Sequence, residues 1–131
     1  MKDATISVSR ALPNANASNT SGVIDTGAEF PASTWRNAFI LVTVPPLSDH
    51  TDTTKTNTIT MQSSAASGSG FANVSPQIQA QLVGVASTGT PQTTYKFPIP
   101  PGCLRYIQFV QAVPTGGGIG SNAIVTYEPV V

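Results

Sequence analysis

The sequence predicts an all-β fold: a single antiparallel β-sandwich of the jelly-roll type, with about eight strands. Short stretches in which apolar and polar residues alternate are typical of half-buried strands, and eleven glycines and eleven prolines separate them. No stretch carries an apolar stripe at helical spacing. Long and uneven connections favour a jelly roll over an up-and-down barrel. At 131 residues the chain is expected to form one domain, spanning residues 1–131.

The stretch from Tyr95 to Val113 is expected to organise this fold, as a short strand, a rigid corner and a long strand. The prolines of the corner lack the amide hydrogen that pairing inside a sheet requires. Gly102 then permits a sharp turn. Cys103–Val113 is the longest run of aromatic and β-branched residues, so the other strands are expected to lie beside it.

The first half of the chain contains three further predicted strands. Ala4–Arg10 alternates, with Ile6 and Val8 as its apolar positions, and Val23–Gly27 is a short strand that ends at a glycine. Ala38–Val44 is continuously apolar, so both of its faces are expected to be buried, inside the domain or against a partner. The connections are predicted to be irregular: Ala11–Gly22, Ala28–Asn37 and Leu47–Lys55.

The second half repeats the alternating pattern. Asn57–Gln62, Gln77–Val85 and Asn122–Glu128 are predicted strands, and Phe71–Ser75 is a short edge piece. In Gln77–Val85 the glutamines are expected to face outward. The residues predicted to face the core are Ile59, Met61, Ile78, Ala80 and Leu82. In the last strand Ala123, Val125 and Tyr127 share one face, and Ile124 and Thr126 share the other.

The charge of the chain limits its partners. Charged residues make up 9% of the sequence, and six basic and six acidic residues give a net charge of zero. Nucleic acid is not expected as a partner, because its binding requires a basic patch. The weakly charged, Ser/Thr/Asn/Gln-rich surface suits a chain packed against other proteins, although a polar, uncharged β domain remains an alternative.

No membrane contact is expected either. Met1–Thr5 lacks an apolar signal region, and no apolar run has the length needed to span a bilayer. The sequence therefore predicts synthesis in a cytosol, without an anchor in the membrane.

No metal or cofactor site is expected. Asp49, His50 and Asp52 crowd one loop, but a zinc site needs a complete tetrahedral ligand set, and no distant ligand accompanies them. A solvated turn capped by aspartates is the favoured interpretation.

No catalytic group is expected. Asp25 and Glu29 are candidates for a glycosidase pair, but a turn that contains Gly27 is the simpler interpretation. Cys103 would need His50 as its base, and a small core or rim cysteine is favoured. The sequence therefore predicts a protein that is not an enzyme.

Three stretches resemble a known family. Val23–Gly27 resembles an early strand that ends in Asp-x-Gly, Tyr95–Gly102 a strand followed by a proline corner, and Leu104–Phe109 an Arg-Tyr-aliphatic strand. The family is that of the jelly-roll capsid cement proteins, also called decoration or stabilising proteins, of short-tailed bacteriophages. The resemblance implies a homo-oligomer, dimer or trimer, on the outer capsid surface of the virion. It also implies that the chain bridges neighbouring major capsid proteins and has no catalytic residues.

Six residues are candidate interface positions. Ile6 and Val8 belong to an N-terminal segment that is able to add a strand to a neighbour's sheet, or else to the protein's own core. Phe39 and Leu41 lie on the continuous apolar strand. Two cations flank the proline corner: Lys96 and Arg105.

Two other functions are kept as alternatives. A carbohydrate- or receptor-binding module of a virion would present exposed aromatic side chains, for which Phe30, Trp35 and Tyr95 are the candidates. A cupin-type enzyme would need several histidine ligands, and the chain has one histidine.

Overall fold

The computed structural model describes residues 7–13, 17–25, 39–47, 55–66, 68–74, 77–85, 89–99, 104–114 and 123–130. Within these residues the protein is all-β, without a helix, and its strands form two antiparallel sheets packed as a β-sandwich. The predicted all-β antiparallel fold is confirmed.

Ten strands lie within the described residues. In chain order they are β1 (Val8–Ala11), β2 (Ala17–Thr20), β3 (Ile24–Asp25), β4 (Phe39–Val44), β5 (Thr56–Ser64), β6 (Ala72–Asn73), β7 (Gln79–Val83), β8 (Thr93–Pro98), β9 (Tyr106–Val113) and β10 (Ile124–Val130).

The strands are paired in a nested order. The four-stranded sheet has the order β1-β10-β4-β8, and the six-stranded sheet has the order β2-β9-β5-β6, with β3 also on β9 and β7 also on β5. The first strand therefore pairs with the last, β2 and β3 pair with β9, β4 pairs with β8, and β5 pairs with β7. Such pairing is that of one long hairpin wrapped into two sheets. The jelly-roll topology itself stays a prediction.

Side chains alternate between core and surface, as the sequence predicts. Ile59 and Met61 on β5, and Val125 and Tyr127 on β10, are fully buried, while Ile124 remains 56% exposed. On β7, Ala80 and Leu82 are buried and the two glutamines are exposed.

The segment Tyr95–Val113 connects the two sheets. Its first strand, β8, belongs to the four-stranded sheet, and its second, β9, is central in the six-stranded sheet. The prediction that the other strands lie beside β9 holds only in part: β2, β3 and β5 pair with it, whereas β6 and β7 pair with β5, and β1, β4, β8 and β10 form the second sheet. The prediction that Cys103–Val113 forms the longest strand is wrong: β9 begins at Tyr106 and has eight residues, against nine in β5.

The predicted loop Ala11–Gly22 is wrong in part, because Ala17–Thr20 forms strand β2. Its sequence has no alternating apolar side chains, so local pattern gave no signal. The strand is held by its pairing with β9 and by the Asn19 side chain, whose Nδ2 donates to the Ala11 carbonyl at 2.9 Å. Strand formation here follows from tertiary context, not from propensity.

Strand β4 is buried inside the domain on one face only. Ile40, Val42 and Val44 have no exposed surface, whereas the alternate residues Phe39 and Leu41 are half-buried. The second face is therefore covered only in part by the chain itself. This leaves open the predicted alternative that it packs against a partner.

Aromatic side chains join the two sheets across the core. The Phe109 ring of the six-stranded sheet stacks on the Tyr127 ring of the four-stranded sheet, with centroids 4.3 Å apart and planes at 15°. Phe97 adds a second contact to Phe109 at 6.0 Å. These contacts join the two sheets through the core.

Candidate interaction surfaces

The described part of the chain contains no cluster of three or more His, Cys, Asp or Glu side chains that could hold a metal ion. It also contains no helix long and apolar enough to cross a membrane. Several candidate residues lie outside the described residues: Ile6, Glu29, Phe30, Trp35, Asp49, His50, Asp52 and Cys103. The surfaces of the two sheets are what remains for a functional argument.

The structure brings three of the predicted interface residues, Phe39, Leu41 and Lys96, to one surface. This surface is the outer face of the four-stranded sheet, and we call it the Leu41 face. Its members are the outward-facing side chains Ser9, Phe39, Leu41, Thr43, Thr94, Lys96, Pro98, Ile124, Thr126 and Glu128.

Opposite charges lie on the two sides of Leu41. In the strand register, Leu41 on β4 is paired with Glu128 on β10 and with Lys96 on β8. Neighbouring strands lie about 4.8 Å apart, so the anion and the cation belong to one row across the sheet. The Lys96 ammonium lies 4.4 Å from the centroid of the Phe39 ring, a distance typical of a cation–π contact.

A row of hydroxyl groups runs beside the charged row. The register aligns Ser9 with Thr126, Thr126 with Thr43, and Thr43 with Thr94, one residue from each strand of the sheet. Hydroxyls both donate and accept hydrogen bonds. The Leu41 face therefore combines apolar, charged and hydrogen-bonding groups in a small area.

The predicted interface residue Val8 lies on the other side of the same sheet. It is paired in register with Tyr127, is half-buried and packs against the core cluster. This position corresponds to the alternative in which the N-terminal strand belongs to the protein's own core.

Arg105 does not join the Leu41 face. Its guanidinium donates to both carboxylate oxygens of Asp25, from Nε at 2.8 Å and from an Nη nitrogen at 3.0 Å. This hydrogen bonding, opposed in part by desolvation, raises the pKa of Arg105. The ion pair ties β3 to the start of β9, and the guanidinium also lies 5.0 Å from the centroid of the Tyr106 ring.

Tyr95, a candidate sugar platform, is engaged with the core. Its side chain is half-buried against the core cluster, and its ring centroid lies 6.2 Å from that of Phe97. Burial raises the pKa of Tyr95. Nothing in the described residues favours the carbohydrate-binding alternative.

The outer face of the six-stranded sheet is a second surface, which the sequence indicated only through its outward glutamines. We call it the Gln62 face; the positions named below carry no charge, and the Asp25–Arg105 ion pair lies at its edge, where Asp25 is in register with Tyr106. Its members, from β2, β5, β7 and β9, are Ser18, Thr20, Thr56, Thr58, Thr60, Gln62, Gln79, Gln81, Val83, Gln108, Val110 and Ala112.

Side-chain amides are ordered across this face. Gln108 Nε2 donates to Gln62 Oε1 at 2.9 Å, and Gln62 Nε2 donates to Asn73 Oδ1 at 3.2 Å. The chain of amides crosses β9, β5 and β6, so these side chains are held in one orientation by their neighbours. A surface that is ordered before binding loses less conformational entropy when a partner arrives.

A shallow groove of about 340 Å³ lies between β1 and β2. It is lined by Ser9, Arg10, Ala11, Leu12, Asn19 and Ile124. The Asn19 side chain is already bound, because its Oδ1 accepts from Gln111 Nε2 at 2.8 Å. The groove offers Arg10 as its cation, but no cluster of groups that would perform chemistry.

Comparison with known proteins gives no assignment: no protein-family model matches the chain, and no curated protein matches it. Within the described residues, the two outer faces of the sandwich are the broadest surfaces that could bind another molecule.

Proposed function

We propose that this protein is a bacteriophage capsid cement protein. It binds the outer surface of the shell, bridges neighbouring major capsid proteins and stabilises the DNA-filled head, without enzymatic activity. The observation that carries the proposal is the Gln62 face, a broad and ordered surface whose charge, within the described residues, is limited to one ion pair at its edge.

The composition of the Gln62 face supports a role in protein binding. About a quarter to a third of the surface residues of a well-behaved soluble domain are charged, whereas on this face the charged side chains are the Asp25–Arg105 pair at one edge and the named positions carry none. Depletion of charge is the compositional mark of the centre of protein–protein interfaces. Threonine hydroxyls and glutamine amides supply donors and acceptors, so a wet interface with many hydrogen bonds is expected.

The proposal includes a homo-oligomer, dimer or trimer. Once one copy of an oligomer is bound to a capsid subunit, its other copies are held at high effective concentration near the neighbouring capsid subunits. Modest individual contacts then sum to strong retention on the shell. Neither nucleic acid nor membrane is a partner in this proposal.

The jelly-roll topology is part of the same proposal. The nested pairing of the strands, first with last and inward to β5 with β7, supports it, as does the division into two sheets. A jelly roll is such a double-sheet fold, built from two Greek keys.

The test is binding to particles of the source phage that lack this protein. Purified chain is added, and the sedimented particles are assayed for it in low salt and in about 1 M salt, where the Debye length is about 3 Å. We expect saturable binding that survives high salt, since the positions named on the Gln62 face are uncharged. Absence of binding, or release in high salt, would contradict the proposal.

A matched pair of variants locates the contact. Gln81→Lys places a charge on the Gln62 face, and Gln92→Lys places the same charge at an exposed position before β8. We expect the first variant to reduce particle binding roughly tenfold or more, because a lysine would be desolvated at the interface. The second is expected to bind as the wild type does, and equal losses in both would exclude the Gln62 face.

A further inference from the structure

We propose that the Leu41 face binds a second copy of this chain, in a two-fold dimer where Lys96 of each protomer pairs with Glu128 of its partner. The proposal concerns a different surface from the one assigned to the shell. It rests on the proposed function only for the expectation of an oligomer.

The charged row makes the face complementary to itself. A two-fold axis that lies in the interface, along β4, exchanges the two sides of that strand and preserves position along it. The β10 side of one protomer then lies over the β8 side of the other. Because Glu128 and Lys96 are in register with the same residue, Leu41, they meet across the axis, and symmetry makes the pair twice.

The centre of the same face is apolar. Leu41 and Phe39 project from β4 and lie near the proposed axis, where each would meet its own copy. Both are only half-buried in the single chain, so association removes further apolar surface from water. Lys96 is already held beside the Phe39 ring, which places its ammonium on this face before a partner arrives.

The hydroxyl row also matches its own copy. Under the same axis Thr43 faces Thr43 of the partner, and Thr94 faces Thr126 of the partner. Each hydroxyl is both donor and acceptor, so such pairs need no second type of residue. A face that carried one sign of charge or only donors would lack this property, which is why a second copy is the occupant that the chemistry favours.

The packing is of an ordinary kind. Two sheets that pack face to face keep their strand directions within about 30° of each other, at a spacing of about 10 Å. An axis along β4 gives such an aligned arrangement. The dimer then presents its two Gln62 faces on opposite outer sides, both free to bind other proteins.

Charge reversal tests the pairing, with sedimentation velocity over a range of protein concentrations in low salt. Wild type is expected to form a dimer. Lys96→Glu and Glu128→Lys each turn two attractions into two repulsions, so each is expected to weaken dimerisation roughly tenfold or more. Arg10→Glu makes the same change of charge on β1, away from the Leu41 face, and is expected to leave the dimer intact.

Two rescues make the test specific. An equimolar mixture of the two single variants is expected to form a heterodimer, because each glutamate then faces a lysine. The double variant Lys96→Glu/Glu128→Lys is expected to dimerise alone. Circular dichroism of every variant establishes that it is folded.

Several results would overturn the proposal: a monomeric or trimeric wild type, undiminished dimerisation of the single variants, or failure of both rescues with folded proteins. If the wild type is monomeric and Lys96→Glu loses particle binding, the Leu41 face is assigned to contact with the shell instead. Because the dimer assay contains no particles, its failure is distinct from failure of the capsid proposal.

Discussion

At the scale of single residues, Gln111 is a buried polar group that links the two sheets. It has no exposed surface, yet its hydrogen bonds are made: Nε2 donates to the Ala11 carbonyl at 3.0 Å and to Asn19 Oδ1, and Oε1 accepts from the Tyr127 hydroxyl at 2.6 Å. A buried amide is tolerated only when it is satisfied in this way. The bond to Tyr127 crosses from one sheet to the other.

Because of Tyr127, the free energy of unfolding is expected to fall at alkaline pH. Burial raises the pKa of Tyr127 far above its ordinary value, so the folded state keeps this proton when the unfolded state has lost it. The stabilisation is complete below the unfolded pKa of about 10 and is lost as the pH rises above it. The free energy of unfolding should then fall by about 1.4 kcal/mol per pH unit from this residue.

Urea unfolding of wild type and Tyr127→Phe between neutral pH and pH about 11 measures the effect. The variant is expected to be less stable at neutral pH, by about 1–3 kcal/mol, because Gln111 Oε1 loses its donor. Its stability should also decline less steeply at alkaline pH. Parallel curves for the two proteins would contradict the role given to this hydroxyl.

At the scale of elements, strand β2 shows what holds a polar edge strand in place. Asn19 points inward, donates to the Ala11 carbonyl and accepts from Gln111, whereas Ser18 points outward from the same strand and is exposed. We expect Asn19→Ala to lower the free energy of unfolding by about 1–3 kcal/mol, since it leaves buried partners unsatisfied.

Ser18→Ala is the matched control and is expected to change stability by less than about 0.5 kcal/mol. Chemical denaturation of both variants checks the prediction. Equal stabilities would mean that the ladder with β9 alone fixes β2.

A comparison of β2 with the other strands shows which elements can be predicted from local sequence. In strands β5, β7 and β10 most inward positions hold buried apolar residues that recur at every second position, so the local pattern predicts most of their burial; Val83 and Ile124, which are apolar and exposed, are departures. Strand β2 has no such pattern, and its pairing with β9 joins residues that are far apart in the chain. Local sequence carries no record of such long-range pairing.

The site is predictable to a lesser degree, for a related reason. Phe39, Leu41 and Lys96 were each recognisable as candidates from local sequence. That they share one face with Glu128 depends on the register of three strands, β4, β8 and β10. Arg105 was equally recognisable as a cation, but its ion-pair partner Asp25 lies 80 residues away in the chain, so their pairing beside β9 follows from the fold and not from local sequence.

At the scale of the whole molecule, the sandwich presents two chemically different outer faces. The Leu41 face carries opposite charges in one central row, whereas on the Gln62 face the Asp25–Arg105 ion pair lies at the edge and the named positions are uncharged. Association through the first is expected to weaken with salt, while binding through the second is expected to persist. A subunit with one face for its own copy and one for the shell is suited to bridging.

The most direct measurement is the temperature at which phage particles release their DNA, followed with an intercalating dye, with and without the added protein. We predict that wild type raises this temperature in proportion to the amount bound, and that Gln81→Lys raises it less than Gln92→Lys. Particles that carry the wild-type protein and release DNA at an unchanged temperature would contradict the claim that it reinforces the shell.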